Sequence, residues 1–272
     1  MMKTTLFYFT GTGNTLQIAK ELASQLGETE IVAISSLREE PRVRCESERI
    51  GILTPLYFSG LPEIVLRFAE RLECPNQRYL FALVNRGSDG VGGALWQLKR
   101  VFKRRKMRLD AGFYLLMPEN YLPMFDVPSA EAQERLFQQA KTDLRAIAQS
   151  IEALTKFFRR EWLAFLYPLL YPRWIKRVKR VDEKVILDPG CSGCGLCEKV
   201  CPVDNIKLIE GRPHWLHHCQ ECLACLHHCP KQVIQHGEKT RERARYRHPE
   251  VSLEEIIAQK RPKSEARPEG RD

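Results

Sequence analysis

The chain of 272 residues is long enough for one full domain and a smaller module, and its 43% hydrophobic and 28% charged residues exclude a disordered, collagenous or wholly membrane-embedded protein. No apolar run reaches the roughly 18 residues that a membrane-spanning helix needs, and the N-terminus lacks the pattern of a secretion signal, so a cytoplasmic protein is expected. The net charge of +9 is concentrated: residues 156–183 hold eight basic against three acidic residues, a net +5, which suits an acidic protein or an anionic lipid surface. No helix-turn-helix, zinc-finger or RNA-binding signature accompanies that patch, so nucleic acid is not an expected partner.

In chain order, residues 4–9, 30–34, 50–54, 79–85 and 112–116 read as short strands rich in β-branched or aromatic residues. Helical stripes run between them: Leu16, Ala19, Leu22, Ala23 and Leu26; then Ile64, Val65, Phe68, Ala69 and Leu72; then Leu95, Leu98, Val101 and Phe102. The alternation predicts an α/β domain over residues 1–160, with a doubly wound five-stranded parallel sheet. One long helix is expected from Ser129, its N-cap, to about residue 159. Residues 161–183 form an aromatic and basic connector in which Pro168 and Pro172 are expected to prevent a continuous amphipathic helix. Its apolar residues are expected to pack the two domains together; docking of the basic cluster on a membrane surface is the less favoured reading. Residues 184–237 hold the cysteines. Residues 238–272 are charged and expected to be disordered, apart from a short helix near 253–259, and to be dispensable for chemistry.

Eight of the ten cysteines fall between Cys191 and Cys229 in two runs of the form C-x2-C-x2-C-x3-C-P. The first is Cys191, Cys194, Cys197 and Cys201 before Pro202; the second is Cys219, Cys222, Cys225 and Cys229 before Pro230. Three thiolates at successive x2 spacings suit three iron corners of a [4Fe–4S] cluster. Zinc is the competing reading, but zinc modules use two cysteines, a long gap and two further ligands. His217, His218, His227 and His228 are read as exposed or packing residues, and Cys45 and Cys74 as buried or idle thiols. The repeated run resembles the bacterial two-cluster ferredoxins. That resemblance implies a C-terminal α+β dicluster ferredoxin-like domain with exchanged fourth ligands: Cys191, Cys194, Cys197 and Cys229 for one cluster, and Cys219, Cys222, Cys225 and Cys201 for the other.

Directly after the first strand comes Thr10-Gly11-Thr12-Gly13-Asn14-Thr15, and then a helix. Backbone N–H groups, hydroxyls and the positive end of the helix dipole suit a phosphate there. The loop has neither the Lys of a Walker A motif nor the third Gly of a dinucleotide fingerprint, and a plain tight turn is the bland alternative. It resembles the phosphate loop of flavodoxins, which implies FMN, a strand order 2-1-3-4-5 and a ligand outside the carboxyl ends of the strands. Two more loops leave that edge, one with Pro55, Leu56, Tyr57 and Phe58, the other with Asn85, Arg86, Gly87 and Ser88. By the same resemblance they flank the flavin ring, with Tyr57 or Phe58 stacked on it; a core-edge role is the alternative for Tyr57. Arg86 is assigned to an anionic reduced flavin or to a docking partner. Pro118, Glu119, Asn120 and Tyr121 are expected to shape a lid, without assigned contacts.

As a whole the chain resembles the flavodoxin–ferredoxin fusion proteins, the EFR-type ferrodoxins, over about residues 1–236. The resemblance implies electron transfer between two [4Fe–4S] clusters and an FMN within one chain and names no substrate; reduction of a redox partner protein or of a small molecule at the flavin is the expected extension, and the basic connector suits an acidic partner. No catalytic acid, base or nucleophile stands out, so an electron carrier and a flavin-dependent oxidoreductase are equally open. A reading from another class is a redox-sensing or binding module with structural clusters and an empty flavodoxin-like domain. Flavin content separates the two.

Overall fold

Alternation along the first strand, β1 (Thr4–Tyr8), divides the N-terminal domain into two layers: Phe7 and the following Phe9 point to one face, Leu6 and Tyr8 to the other, and all four are buried. The computed structural model describes residues 2–89, 92–158 and 167–261. After β1 come α1 (Asn14–Leu26), β2 (Thr29–Ala33), β3 (Val43–Arg44), β4 (Arg49–Pro55), α2 (Glu63–Arg71), β5 (Leu72–Glu73), β6 (Tyr79–Arg86), α3 (Ala94–Arg104), β7 (Ala111–Leu116) and α4 (Ala130–Glu152). The second half contains α5 (Tyr167–Arg177), β8 (Val185–Leu187), α6 (Leu196–Val200), β9 (Ile206–Ile209), β10 (Arg212–Trp215), α7 (Ala224–His228), β11 (Ile234–His236) and α8 (Leu253–Ala258).

The main sheet has the order β2-β1-β4-β6-β7 and every pairing is parallel. With the short β3 and β5 set aside this is the expected 2-1-3-4-5. Ile50, Ile52, Leu80, Ala82 and Val84 pack with α2 and α3 on the Phe7 face, while Leu53, Phe81, Leu83 and Phe113 pack with α1 and α4 on the Leu6 face. Gly51 leaves room for that second layer: a Cβ there would lie 2.5 Å from the Phe81 ring.

Three expectations are corrected. Ser129 caps α4, its Oγ accepting from the Ala132 N–H at 3.3 Å, but the helix ends at Glu152 rather than near residue 159. Leu154 turns left-handed at φ 52°, and the chain then runs extended to Phe158, where the Gly112 N–H donates to the Phe157 carbonyl at 2.7 Å and the edge of β7 is covered. The prolines do not interrupt α5. Pro168 falls in its first turn, where any helix leaves N–H groups unbonded, and the Pro172 position is held by the burial of Tyr171, Trp174 and the following Val178. Finally, residues 238–261 are packed rather than disordered: Tyr246 and Ile256 are each 2% exposed. The apolar residues of this segment are too sparse to form a core of their own, so composition hid them; they occupy surface belonging to the other two domains. Residues 159–166 of the expected connector and 262–272 of the expected tail lie outside the described residues.

The cysteine module is built twice over. Helices α6 and α7 follow equivalent positions in the two runs, and the antiparallel ladders β8–β11 and β9–β10 flank them. Each run needs two left-handed residues: Gly193 and Gly195 supply φ 65° and 71° in the first, but Glu221 and Leu223 adopt φ 55° and 57° in the second. A side chain in that region carries a conformational cost, and at Glu221 the neighbours hold it in place.

Candidate functional site

All the expected cofactor residues except Gly13 line one cleft of about 270 Å³ at the carboxyl edge of the sheet: Thr10, Gly11, Thr12, Asn14 and Thr15 from the first loop, Pro55, Leu56, Tyr57 and Phe58 from the second, Asn85, Arg86, Gly87 and Ser88 from the third. Gly13, at φ 103°, ends the loop and makes the turn into α1. The loop hydroxyls are arranged to donate outward. Thr10 Oγ1 accepts from the Gly13 N–H at 3.0 Å and Thr12 Oγ1 accepts from Asn120 Nδ2 at 2.9 Å, so both keep an O–H proton for a ligand. Thr15 spends its proton on Asn85 Oδ1 at 2.7 Å and ties α1 to β6. No side chain caps the first N–H groups of α1. Two hydroxyl donors at an uncapped helix N-terminus are what a phosphate monoester requires.

Phe58 and Ser59 form the tight turn between Tyr57 and Gly60 with φ 45° and 67°, a strained choice for two residues with side chains. Phe58 is nevertheless fixed, stacked on Trp174 at 5.2 Å and edge-on to Tyr121 at 5.2 Å. Tyr57 sits edge-on to Phe9 at 6.4 Å, and burial, with the nearby cysteines and Glu221, pushes its hydroxyl pKa well up. It thus has the contacts of a core-edge aromatic while lining the cleft. Arg86 is engaged within its own loop, paired with Asp89 and lying over the Tyr114 ring at 4.4 Å. Pro118, Glu119, Asn120 and Tyr121 do reach the cleft, joined by Met117, Met124 and Phe125.

The wall that sequence reasoning missed comes from the cysteine module: Glu221, Cys222 and Leu223 complete the same cleft. No local signal could have announced this, because it depends on how the domains dock. The docking is specific. Gln220 Oε1 accepts from the Ile64 N–H at 2.9 Å and so satisfies a helix-end donor of α2 that its own N-cap, Pro62, cannot. Glu221 accepts from Tyr121 Oη at 2.7 Å and from Trp174 Nε1 at 2.9 Å, and Tyr171 Oη donates to the Leu61 carbonyl at 2.7 Å.

The cysteines surround two separate hollows. One is lined by Cys191, Cys194, Cys197 and Cys229, the other by Cys201, Cys219, Cys222 and Cys225, which are the two sets with an exchanged fourth ligand. Among the described residues no three ligand-type side chains converge on a point close enough for a single ion. Four thiols spread around a hollow fit a cluster. Burial and mutual crowding push the thiols of Cys219 and Cys225 well up and that of Cys222 to about 12, while burial lifts Cys197 to about 11. The thiolate is the ligand form, so a cluster held there would displace these protons.

A family model described as a 4Fe-4S dicluster domain matches residues 190–234. The chain joins a flavodoxin-like domain to a 4Fe–4S dicluster ferredoxin domain. Electron transfer is the chemistry of a 4Fe–4S dicluster domain. Curated relatives share only a part of it. An uncharacterized protein of Methanocaldococcus jannaschii is 36% identical over 64 residues, 24% of this chain and 17% of that protein. A subunit of the ion-translocating oxidoreductase complex of Methanosarcina acetivorans is 36% identical over 58 residues, 21% of this chain and 22% of that protein. The chain thus spans less than a quarter of either relative. Among solved structures, a flavodoxin of Streptococcus pneumoniae aligns with 54% of this chain and 99% of its own at 18% identity and TM-score 0.33. The rubredoxin oxygen:oxidoreductase of Desulfovibrio gigas aligns with 56% of this chain and 36% of its own at 16% identity and TM-score 0.32. The strand order carries the flavodoxin-like assignment. Among the described residues no helix is long and apolar enough to cross a membrane.

The C-terminal segment straps the two domains together at the Thr10-to-Thr15 loop. Tyr246 Oη donates to Asn14 Oδ1 at 2.6 Å, the Tyr246 N–H donates to His227 Nδ1 at 3.0 Å, and the other ring nitrogen of His227 donates to the Asn120 carbonyl at 2.9 Å. The His248 N–H donates to the Thr12 carbonyl at 2.9 Å, and its ring rests on Phe137 at 4.7 Å. Further on, Lys260 and Arg38 both bind Asp204, tying the flavodoxin-like domain to the ferredoxin. Burial draws His248 down to about 4, with Lys141 and Lys20 adding to the shift and Glu250 opposing it. An undocked strap would take up a proton near the ordinary value of about 6.5. Docking is therefore at full strength above that pH and weakens as pH falls from there to about 4, by up to about 1.4 kcal/mol per pH unit. Amide-exchange protection of residues 246–251 should fall over that window in the native protein and fall less steeply in His248→Gln, where His227, which accepts from the Tyr246 N–H, still titrates; equal slopes in both would remove His248 as a cause.

Proposed function

We propose that the chain holds one [4Fe–4S] cluster on Cys191, Cys194, Cys197 and Cys229, a second on Cys219, Cys222, Cys225 and Cys201, and one FMN in the cleft of the Thr10-to-Thr15 loop, and that electrons pass between these sites within one molecule. The observation that carries this reading is the shared wall: Cys222 lines the cleft, and a Cβ on Gly11 would stand 2.5 Å from the Cys222 carbonyl oxygen. When bound, the clusters supply one-electron steps and FMN couples them to two-electron chemistry.

The residues have complementary tasks. Thr10, Thr12 and the N-terminus of α1 hold the phosphate. The Asn205 N–H donates to Cys201 Sγ and the Glu221 N–H to Cys219 Sγ, both at 3.2 Å, which stabilises negative charge on those sulfurs and raises the reduction potential of their cluster. Leu223 and Tyr57 keep water from the wall between the two sites. Phe58, Met124 and Phe125, 39%, 61% and 47% exposed, form the mouth at which a redox partner or a small molecule would meet the flavin. For a protein partner the complementary chemistry is acidic, since Arg173, Lys176, Arg177 and Arg180 are exposed along and just beyond α5.

Anaerobic purification with iron, sulfide and flavin quantified tests the assignment. About eight irons and one FMN per chain are expected. Iron without flavin would leave a ferredoxin on an empty scaffold, and zinc in place of iron would overturn the reading.

A further inference from the structure

Away from the cofactor edge, the two remaining cysteines meet. Strands β3 and β5 pair in parallel with Val43 opposite Leu72 and Arg44 opposite Glu73, and the Cys45 N–H donates to the Glu73 carbonyl at 2.8 Å. The next step of that register sets Cys45 beside Cys74. Paired strands run about 4.8 Å apart, within the Cα separation of about 4.4–6.8 Å that a disulfide bridges. Both side chains belong to the same core cluster and both thiols are free. Their reading as idle thiols is thereby corrected; the register of two two-residue strands is what brings them together, and no sequence period encodes it.

We propose that Cys45 and Cys74 form a reversible dithiol–disulfide site that reacts with small-molecule disulfides. Access is built in. A cavity of about 370 Å³ opens onto Cys45, which is otherwise 6% exposed; Thr5, Val43 and Ser47 line it, and its rim mixes Lys3, Arg42 and Arg44 with Glu30, Glu40 and Glu46. Hydrogen bonds, first from Cys74 and then from Ser47 and Thr5, draw Cys45 down to about 6 despite its burial, while Cys74 is held as the protonated partner. Cys45 is the thiol that lines this cavity, so its sulfur is the one placed to meet a disulfide there. Arg105, which binds the Leu72 carbonyl, favours the anion on Cys74 when its turn comes.

The step balances as thiol exchange. Cys45 Sγ attacks one sulfur of R–S–S–R, forming the mixed disulfide and releasing RS⁻, which takes a proton. Cys74 then gives up its proton and its sulfur displaces the second RS⁻. Two protein thiols lose two electrons and two protons, and one small disulfide becomes two RSH. The product closes a loop that contains β4 and α2, and α2 is the helix whose first turn is satisfied by Gln220 beside the cluster ligands.

The test exposes the anaerobically purified, iron-loaded full chain to hydroxyethyl disulfide, blocks remaining thiols, and maps peptides in samples that retain their iron. A Cys45–Cys74 linked peptide, reversed by dithiothreitol, is expected. Cys74→Ala should stop at a mixed disulfide on Cys45, and neither Cys74→Ala nor Cys45→Ala should yield the linked peptide. Recovery of both residues as free thiols, or of separate adducts on each without linkage, in the native chain would overturn the proposal whether or not the variants fold.

Discussion

Cys222→Ser is expected to lower the iron content from about eight to about four atoms per chain and to reduce cluster-to-flavin transfer to background, while flavin binding persists. In the proposed assignment Cys222 faces both redox sites, since it lines a cysteine hollow on one side and the Thr10-to-Thr15 cleft on the other. The instructive comparison is Cys194→Ser. Cys194 is exposed and belongs to the hollow that shares no residue with the cleft, so the same loss of iron there should leave transfer from the remaining cluster nearly unchanged. Iron analysis together with rapid-mixing spectroscopy distinguishes the two variants. Equal loss of transfer in both would mean that proximity at Cys222 is not what couples the sites.

The second large effect is expected at Gly11. An added Cβ would lie 2.5 Å from the Cys222 carbonyl oxygen and 3.1 Å from its Cβ, and the nearest of these atoms is backbone, which no rotamer change can move aside. Gly11→Ala must therefore separate the phosphate loop from the cluster loop. Overpacking of this kind costs about 1–3 kcal/mol, and if that strain falls on the loop, flavin affinity drops by about tenfold or more. Iron content should stay at the native level. Flavin titration of the apoprotein measures the first and iron analysis the second; unchanged affinity would show that the loops part without disturbing the phosphate site.

Much of this architecture was legible because local chemistry forced it. Five apolar strands separated by helical stripes specify a doubly wound sheet, and each strand was placed to within one residue at its ends. Ligand spacing within a run leaves little freedom, and the structure groups the cysteines in two hollows, Cys191, Cys194, Cys197 and Cys229 in one and Cys201, Cys219, Cys222 and Cys225 in the other. The Thr10-to-Thr15 loop was readable for the same reason, its residues being contiguous.

What escaped is what depends on distant parts of the chain. The sequence points to Cys222 as a candidate ligand but not as a wall of the Thr10-to-Thr15 cleft, since that follows from Gln220, Trp174 and Tyr121 locking the cysteine loop onto the first domain. The segment of residues 238–261 looked disordered because its charge dominates the composition. In the fold its few apolar residues find seats, Tyr246 at Asn14 and Ile256 beside Val200 and Ala224, and the buried His248 closes against Gly13, where a Cβ would come within 2.9 Å. Helix α5 ran through Pro172 because burial of Tyr171 and Trp174 outweighs one missing backbone hydrogen bond. In each case tertiary packing overrode a local rule that was correctly applied.

The most direct test of electron exchange within one molecule is rapid anaerobic reduction of the clusters, with flavin absorbance followed over a range of protein concentrations. The account predicts first-order flavin reduction at a rate independent of protein concentration. A rate that rises in proportion to protein concentration would show transfer between molecules and contradict it.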